Sequence, residues 1–159
     1  MFSSPAVVVS AFLLLACVFS TTLANPAKNQ TLVEIITIDD ASKLKDISKG
    51  AELIPMSQDR DTKGVIRYTL GNRSSGDRLV SQASDSVSWN TPQSVQLRLE
   101  YPASGTGAVI THVQIDVNQS SNSGQAYVIA GGIGQRRIVI IVEAYNTYYF
   151  SYVSNIYGI

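Results

Sequence analysis

Residues 93–101 alternate without a break: Val95, Leu97, Leu99 and Tyr101 are apolar, and Gln96, Arg98 and Glu100 between them are polar. Residues 109–118 repeat the pattern, with Val113, Ile115 and Val117 set against His112, Gln114, Asp116 and Asn118. A period of two sends one set to a dry face and the other to water, which is the signature of a half-buried strand. Shorter runs rich in β-branched and aromatic residues occupy 32–38, 65–70, 77–82, 124–130, 137–145 and 147–154. Turn residues separate them: the stretch from Gly71 to Gly76, a Ser/Asp-rich segment holding Trp89 and ending at Pro92, and the loop 102–107. About seven strands spaced roughly 8 to 15 residues apart predict an all-β fold, an antiparallel sandwich or barrel. Helical crossovers between the strands are missing, so a parallel α/β sheet is not expected. One helical pattern stands outside this series, at 39–50. Asp39 or Asp40 caps it, Ala41, Leu44 and Ile47 share one side, and Gly50 ends it. The polar segment 52–63, with Pro55, reads as a loop or linker.

Residues 6–19 are apolar except for Ser10. That run is shorter than the ~20 residues a membrane-crossing helix requires. Thr22 and Ala24 behind it are small, as a signal peptidase demands, so cleavage after Ala24 is expected, with Ala16 or Ser20 as alternatives. No Lys or Arg lies in 1–5, which leaves the amino terminus as the only positive charge there. The expected division is a signal peptide at 1–24, an N-terminal extension at 25–63 and a β domain at 64–159. Cleavage would also remove Cys17, the only cysteine, and with it disulfides, zinc-thiolate sites and thiol nucleophiles.

The chain carries 12 basic and 12 acidic side chains, all beyond the apolar segment. Nucleic acid is therefore not an expected partner, since binding it rests on neutralising phosphates with a basic surface. An anionic membrane surface is disfavoured for the same reason. Acceptor sequons at Asn29, Asn72 and Asn118 are candidate glycosylation sites and fit an extracellular route.

Residues 131–137, GGIGQRR, first suggest a phosphate loop. A dinucleotide loop needs a third glycine and a following helix, whose N-terminus meets the pyrophosphate. Here the third glycine is absent, and the β-branched run Ile138-Val139-Ile140-Ile141-Val142 favours a strand. The glycines are expected to serve a hairpin turn. His112 and Asp116 lie four residues apart on one strand, which separates them by ~13 Å and rules out a direct hydrogen bond. One histidine and scattered carboxylates offer no metal-ligand spacing, and Asp39-Asp40 fits a helix cap or a calcium contact. No catalytic, cofactor or metal residues are assigned. The aromatic segment 145–157 places Tyr148, Phe150 and Tyr152 on one strand face, a candidate partner face set against simple sheet packing.

The pieces Gly71-x4-Gly76-Asp77-Arg78-Leu79, Ile110-Thr111-His112-Val113, Ser123-Gly124-Gln125-Ala126, Ala130-Gly131-Gly132-Ile133-Gly134 and Asn155-Ile156-Tyr157-Gly158, in this order, resemble the multiprotein bridging factor 2 family of insects. The resemblance covers 67–158. It implies a protein without catalytic activity and supplies no active-site residues. Many relatives are salivary secreted peptides or gut proteins induced by pathogens. The expectation that follows is a secreted, extracellular protein that binds a host, microbial or self partner, protein or glycan. The alternative is the transcriptional co-activator, bridging transcription factors, from which the family takes its name.

Overall fold

A computed structural model describes residues 30–38 and 52–159. The expected signal peptide at 1–24, the helix at 39–50 and the sequon at Asn29 lie outside them. Eight strands follow one another: β1 (Leu32–Thr37), β2 (Ile54–Pro55), β3 (Ser57–Arg60), β4 (Ile66–Gly71), β5 (Arg78–Tyr101), β6 (Ile110–Gln119), β7 (Gly124–Gly131) and β8 (Ile138–Gly158). All pair antiparallel in one open sheet, in the order β1-β5-β8-β6-β4-β3, with β7 also on β8 and β2 on β7. The described residues are thus all-β and antiparallel, as the periodicity predicts.

Three expectations need correction. The strands expected at 77–82 and 93–101 are one strand, β5, and those at 137–145 and 147–154 are one strand, β8. The Ser/Asp-rich stretch between the first two does not break the strand, because its backbone pairs with β8 from Ala83↔Ser154 to Ser88↔Tyr149. Composition weakens a strand, but a long partner supplies the hydrogen bonds that composition alone cannot predict. Instead of a break, the register shifts between Ser88 and Gln93, where six residues of β5 face three of β8, from Thr147 to Tyr149. Asn146 takes a positive φ of 54° just before that point. Such a bulge sharpens the bend of a strand pair. The polar segment 52–63, expected as a loop, contributes β2 and β3 to the sheet edges.

β5 and β8 therefore run through both halves of the sheet. One half is β5–β8–β6–β4–β3, built on the C-terminal part of β8; the other is β1–β5–β8–β7–β2, built on its N-terminal part. Neither a separate two-sheet sandwich nor a closed barrel results, but a single sheet whose halves share one core. Ile66, Tyr68, Val113, Ile115 and Val117 come from the first half, and Leu97, Leu99, Val128, Ile140 and Val142 from the second. Val95, Leu97, Leu99 and Tyr101 are buried, as their alternation requires.

Candidate interaction surface

Four of the five pattern pieces converge at one end of the sheet. Leu79, Tyr157, His112 and Gly71 are successive cross-strand neighbours from β5 through β8 and β6 to β4. The turn between β4 and β5 is held there by Asp77. Its carboxylate accepts from Arg73 Nε at 2.9 Å and Nη2 at 2.6 Å, from the Ser74 amide at 2.8 Å and from Thr111 Oγ1 at 2.9 Å. Only 2% of the side chain is exposed. The Arg73 guanidinium, then the Ser74 amide, hold the Asp77 carboxyl well below the usual carboxylate range. Arg73 in turn lies 3.7 Å from the centre of the Tyr157 ring, a cation–π contact. His112 stands beside the same ring, at 5.8 Å between centroids, with Nδ1 3.1 Å from the Gly71 carbonyl.

These groups hold the turn between β4 and β5 in place. His112 and Asp116 are engaged separately. Asp116 accepts from Arg67 Nε at 2.6 Å and from Gln114 Nε2 at 2.8 Å. Burial pushes the Tyr68 and Tyr152 hydroxyls each up to about 12, so both keep their protons at neutral pH. Among the described residues no three His, Cys, Asp or Glu side chains gather as a metal site.

The glycine stretch is the turn between β7 and β8, with Gly131 opposite Ile138. Gly131, Gly132 and Gly134 take φ of 70°, 149° and 78°, conformations that side chains resist. The Gly132 amide donates to the Arg137 carbonyl and the Gln135 amide to that of Gly132. Arg137 pairs with Glu100 at 2.6 Å, and Arg136 Nη1 donates to the Gly107 carbonyl at 3.0 Å. The arginines thus have protein partners and need no phosphate. The hairpin also reaches the other half of the sheet. The Gly134 amide donates to the Ile110 carbonyl, and a Cβ on Gly71 would stand 2.7 Å from Ile133 Cδ1.

The candidate face of Tyr148, Phe150 and Tyr152 does not form as one surface. Tyr148 is 51% exposed, while Phe150 and Tyr152 are buried in the shared core. The register shift beside them explains the difference, since strict alternation does not carry through a bulge. Asn72 and Asn118 are exposed. The accessible concavities lie elsewhere. An open trough of about 490 Å³ crosses the outer face of the first half over Ser84, Ser86, Asn118, Ser151 and Val153. A smaller apolar notch of about 270 Å³ opens beside the glycine hairpin. Sequence reasoning marked Gly71, Asp77 and Tyr157 only as parts of a pattern. It missed Arg73 as the link between Asp77 and Tyr157, and it missed the notch, whose walls come from four separate elements.

Residues 70–158 match the family model described as Transcription activator MBF2. No curated protein and no solved structure matches the chain. The match corrects the functional expectation. A salivary or gut secretion acting on a host, microbial or self partner is overturned by a family described as a transcription activator, which favours the alternative.

Proposed function

The chain belongs to the MBF2 family, and on that premise we propose that it is a transcriptional co-activator, a non-enzymatic protein that bridges transcription factors by protein contacts. One observation carries the reading: the match to a family described as a transcription activator runs from the end of β4 through β8 and takes in most of the sheet. The side chains that chemistry would use support the same reading. His112, Asp77, Asp116 and Arg73 are all tied into turns and strand pairs, which leaves rigid surfaces as the means of action.

The test expresses the full chain with a C-terminal tag beside a reporter gene driven by a DNA-bound activator. The expected outcome is increased reporter output with the tagged chain in the nuclear fraction. An unchanged reporter, or recovery of the chain only from the medium after removal of 1–24, overturns the proposal. The same fractionation tests the extracellular location expected from the apolar segment.

A further inference from the structure

The two flanks of the sheet end differently. On one flank β2 pairs with β7 and β3 with β4, and Met56 between them is buried, its amide donating to the Ala126 carbonyl. That stretch of chain joins the two halves. On the other flank β5 is only partly enclosed. From Val95 to Glu100 it lies between β1 and β8, but from Arg78 to Ser88 it pairs with β8 alone among the described residues. One backbone edge of that stretch therefore presents N–H and C=O groups without strand partners. The core is unfinished at the same place. Val33 and Ile35 of β1, and Val80, Ala83, Val87 and Trp89 of β5, pack against it but stay partly exposed. Val113, Ile115 and Val117 of β6, on the other side of β8, are fully buried. The contrast follows from pairing, since β6 has a strand on each side and this part of β5 has one. A hydrogen bond of 2.8 Å between Thr31 Oγ1 and Ser81 Oγ links the start of β1 to one end of the open stretch.

Asp85 sets a condition on what fills this edge. It stands opposite Tyr152, in one row with Ala83 and Val87, whose cross-strand neighbours Ser154 and Phe150 are buried. Asp85 is exposed and forms no ion pair among the described residues. Its carboxylate accepts from the Ser86 amide at 2.7 Å. A charge on the core-facing row of an edge strand bars indiscriminate pairing, because an apolar neighbour would bury it unpaired. A strand with Lys or Arg at the facing position satisfies it.

We propose that the open edge of β5 from Arg78 to Ser88 is a strand-addition site for an extended segment of a partner protein. The segment pairs with the free backbone, sets apolar side chains against Ala83, Val87 and Trp89, and brings a Lys or Arg to Asp85. A row of main-chain donors and acceptors fits an extended chain, whose own backbone offers the matching row. The inference rests on the co-activator reading and names the contact through which bridging occurs. It also accounts for the partly exposed apolar side chains of β5, which the described strands leave without cover.

The probe is a fluorescein-labelled eleven-residue peptide of alternating Thr and Val with Lys in place of the central Val, read by anisotropy against the purified full chain. N-methylating one set of alternate peptide amides is expected to abolish binding, and methylating the other set to leave it, since only one set faces the edge. Asp85→Asn is expected to weaken binding about two- to fivefold, as one cross-strand charge pair gives. Asp85→Lys is expected to reverse the preference, so that a peptide with central Glu binds better; Asp85→Asn keeps the test decisive if Asp85→Lys disturbs folding. Asp59→Asn, on β3 at the far edge, is expected to change nothing. In the free chain alternate amides between Gln82 and Ser88 should exchange fast with solvent, and they should slow at least about tenfold with peptide bound. Absence of binding, the same response to both methylated sets, or indifference to both Asp85 variants overturns the inference. Slow exchange at both sets of β5 amides in the free chain overturns it too, because the edge is then covered by this chain or, where sedimentation shows a dimer, by a second copy. If the peptide binds as described and the reporter does not respond, the co-activator reading fails and the site stands. If the reporter responds without peptide binding, the site alone fails.

Discussion

Along β8, Ile138 to Ala144 is buried on both faces, whereas from Tyr149 onward the exposure alternates. The inner faces of the two parts are alike. Ile138, Ile140 and Val142 in the first part, and Phe150, Tyr152 and Ile156 in the second, join one core. The outer faces differ. Val139 and Ile141 are almost fully covered, while Val153 is 40% exposed and is flanked across the sheet by Ser84 and Asp116. The cross-strand neighbours of Ile141 are Arg98 and Tyr127, long side chains that shield it on both sides. Serine beside Val153 shields nothing. A central strand therefore owes its exposure to its neighbours as much as to itself, and an apolar run can be dry on both faces within an antiparallel sheet.

Four predictions test that comparison. The inner faces should respond alike: Phe150→Ala and Ile140→Ala should each lower stability by about 3–5 and 2–5 kcal/mol respectively, measured by urea unfolding. A much smaller loss for either would mean that the halves do not share one core. The outer faces should respond unequally. Ile141→Ser should lower stability by roughly 2–4 kcal/mol in the same measurement. Val153→Ser should change it by no more than about 0.5 kcal/mol; equal losses at the two positions would remove the distinction. The hairpin joining the halves should be less sensitive where it is open. Gly134→Ala meets no neighbour but must hold φ at 78°, so it should lose about 1–2 kcal/mol of stability by strain alone.

The last prediction concerns pH and the end of β8. Asp77 and Glu100 are both held below their ordinary carboxylate values, chiefly by Arg73 and Arg137 respectively. Their native state therefore binds protons less readily than the unfolded chain. The stabilisation is fully present above about pH 4–5, where the unfolded carboxylates are ionised, and is lost as pH falls toward the native values. The urea midpoint should fall between about pH 5 and 2, and Asp77→Asn should flatten that decline while lowering stability at pH 7. A variant with an unchanged acid limb would remove Asp77 as its source.

Much of the fold was legible because it rests on local periodicity. The alternation at 93–101 and 109–118 and the β-branched run after Gly134 are properties of neighbouring residues, and they yielded strands, faces and the hairpin. The joined length of β5 and β8 was not legible. Serine and aspartate between residues 82 and 90 look like a break until β8 is placed beside them. Tyr148, Phe150 and Tyr152 looked like one face because alternation was carried through a bulge that only the pairing creates. The candidate site was legible only in part. Gly71, Asp77, His112 and Tyr157 stood out as a pattern, but Arg73 did not, because nothing local to it points toward Tyr157, 84 positions away.

The sequence by itself thus determined the class of structure, the glycine turn and the separation of His112 from Asp116, since each follows from backbone geometry over a few residues. The tertiary structure alone decided which strands merge, which apolar residues are dry and where Ile54, Leu70, Val128 and Ile133 meet. Those outcomes depend on contacts between residues far apart in the chain, and burial is a property of the assembled neighbours rather than of any one side chain.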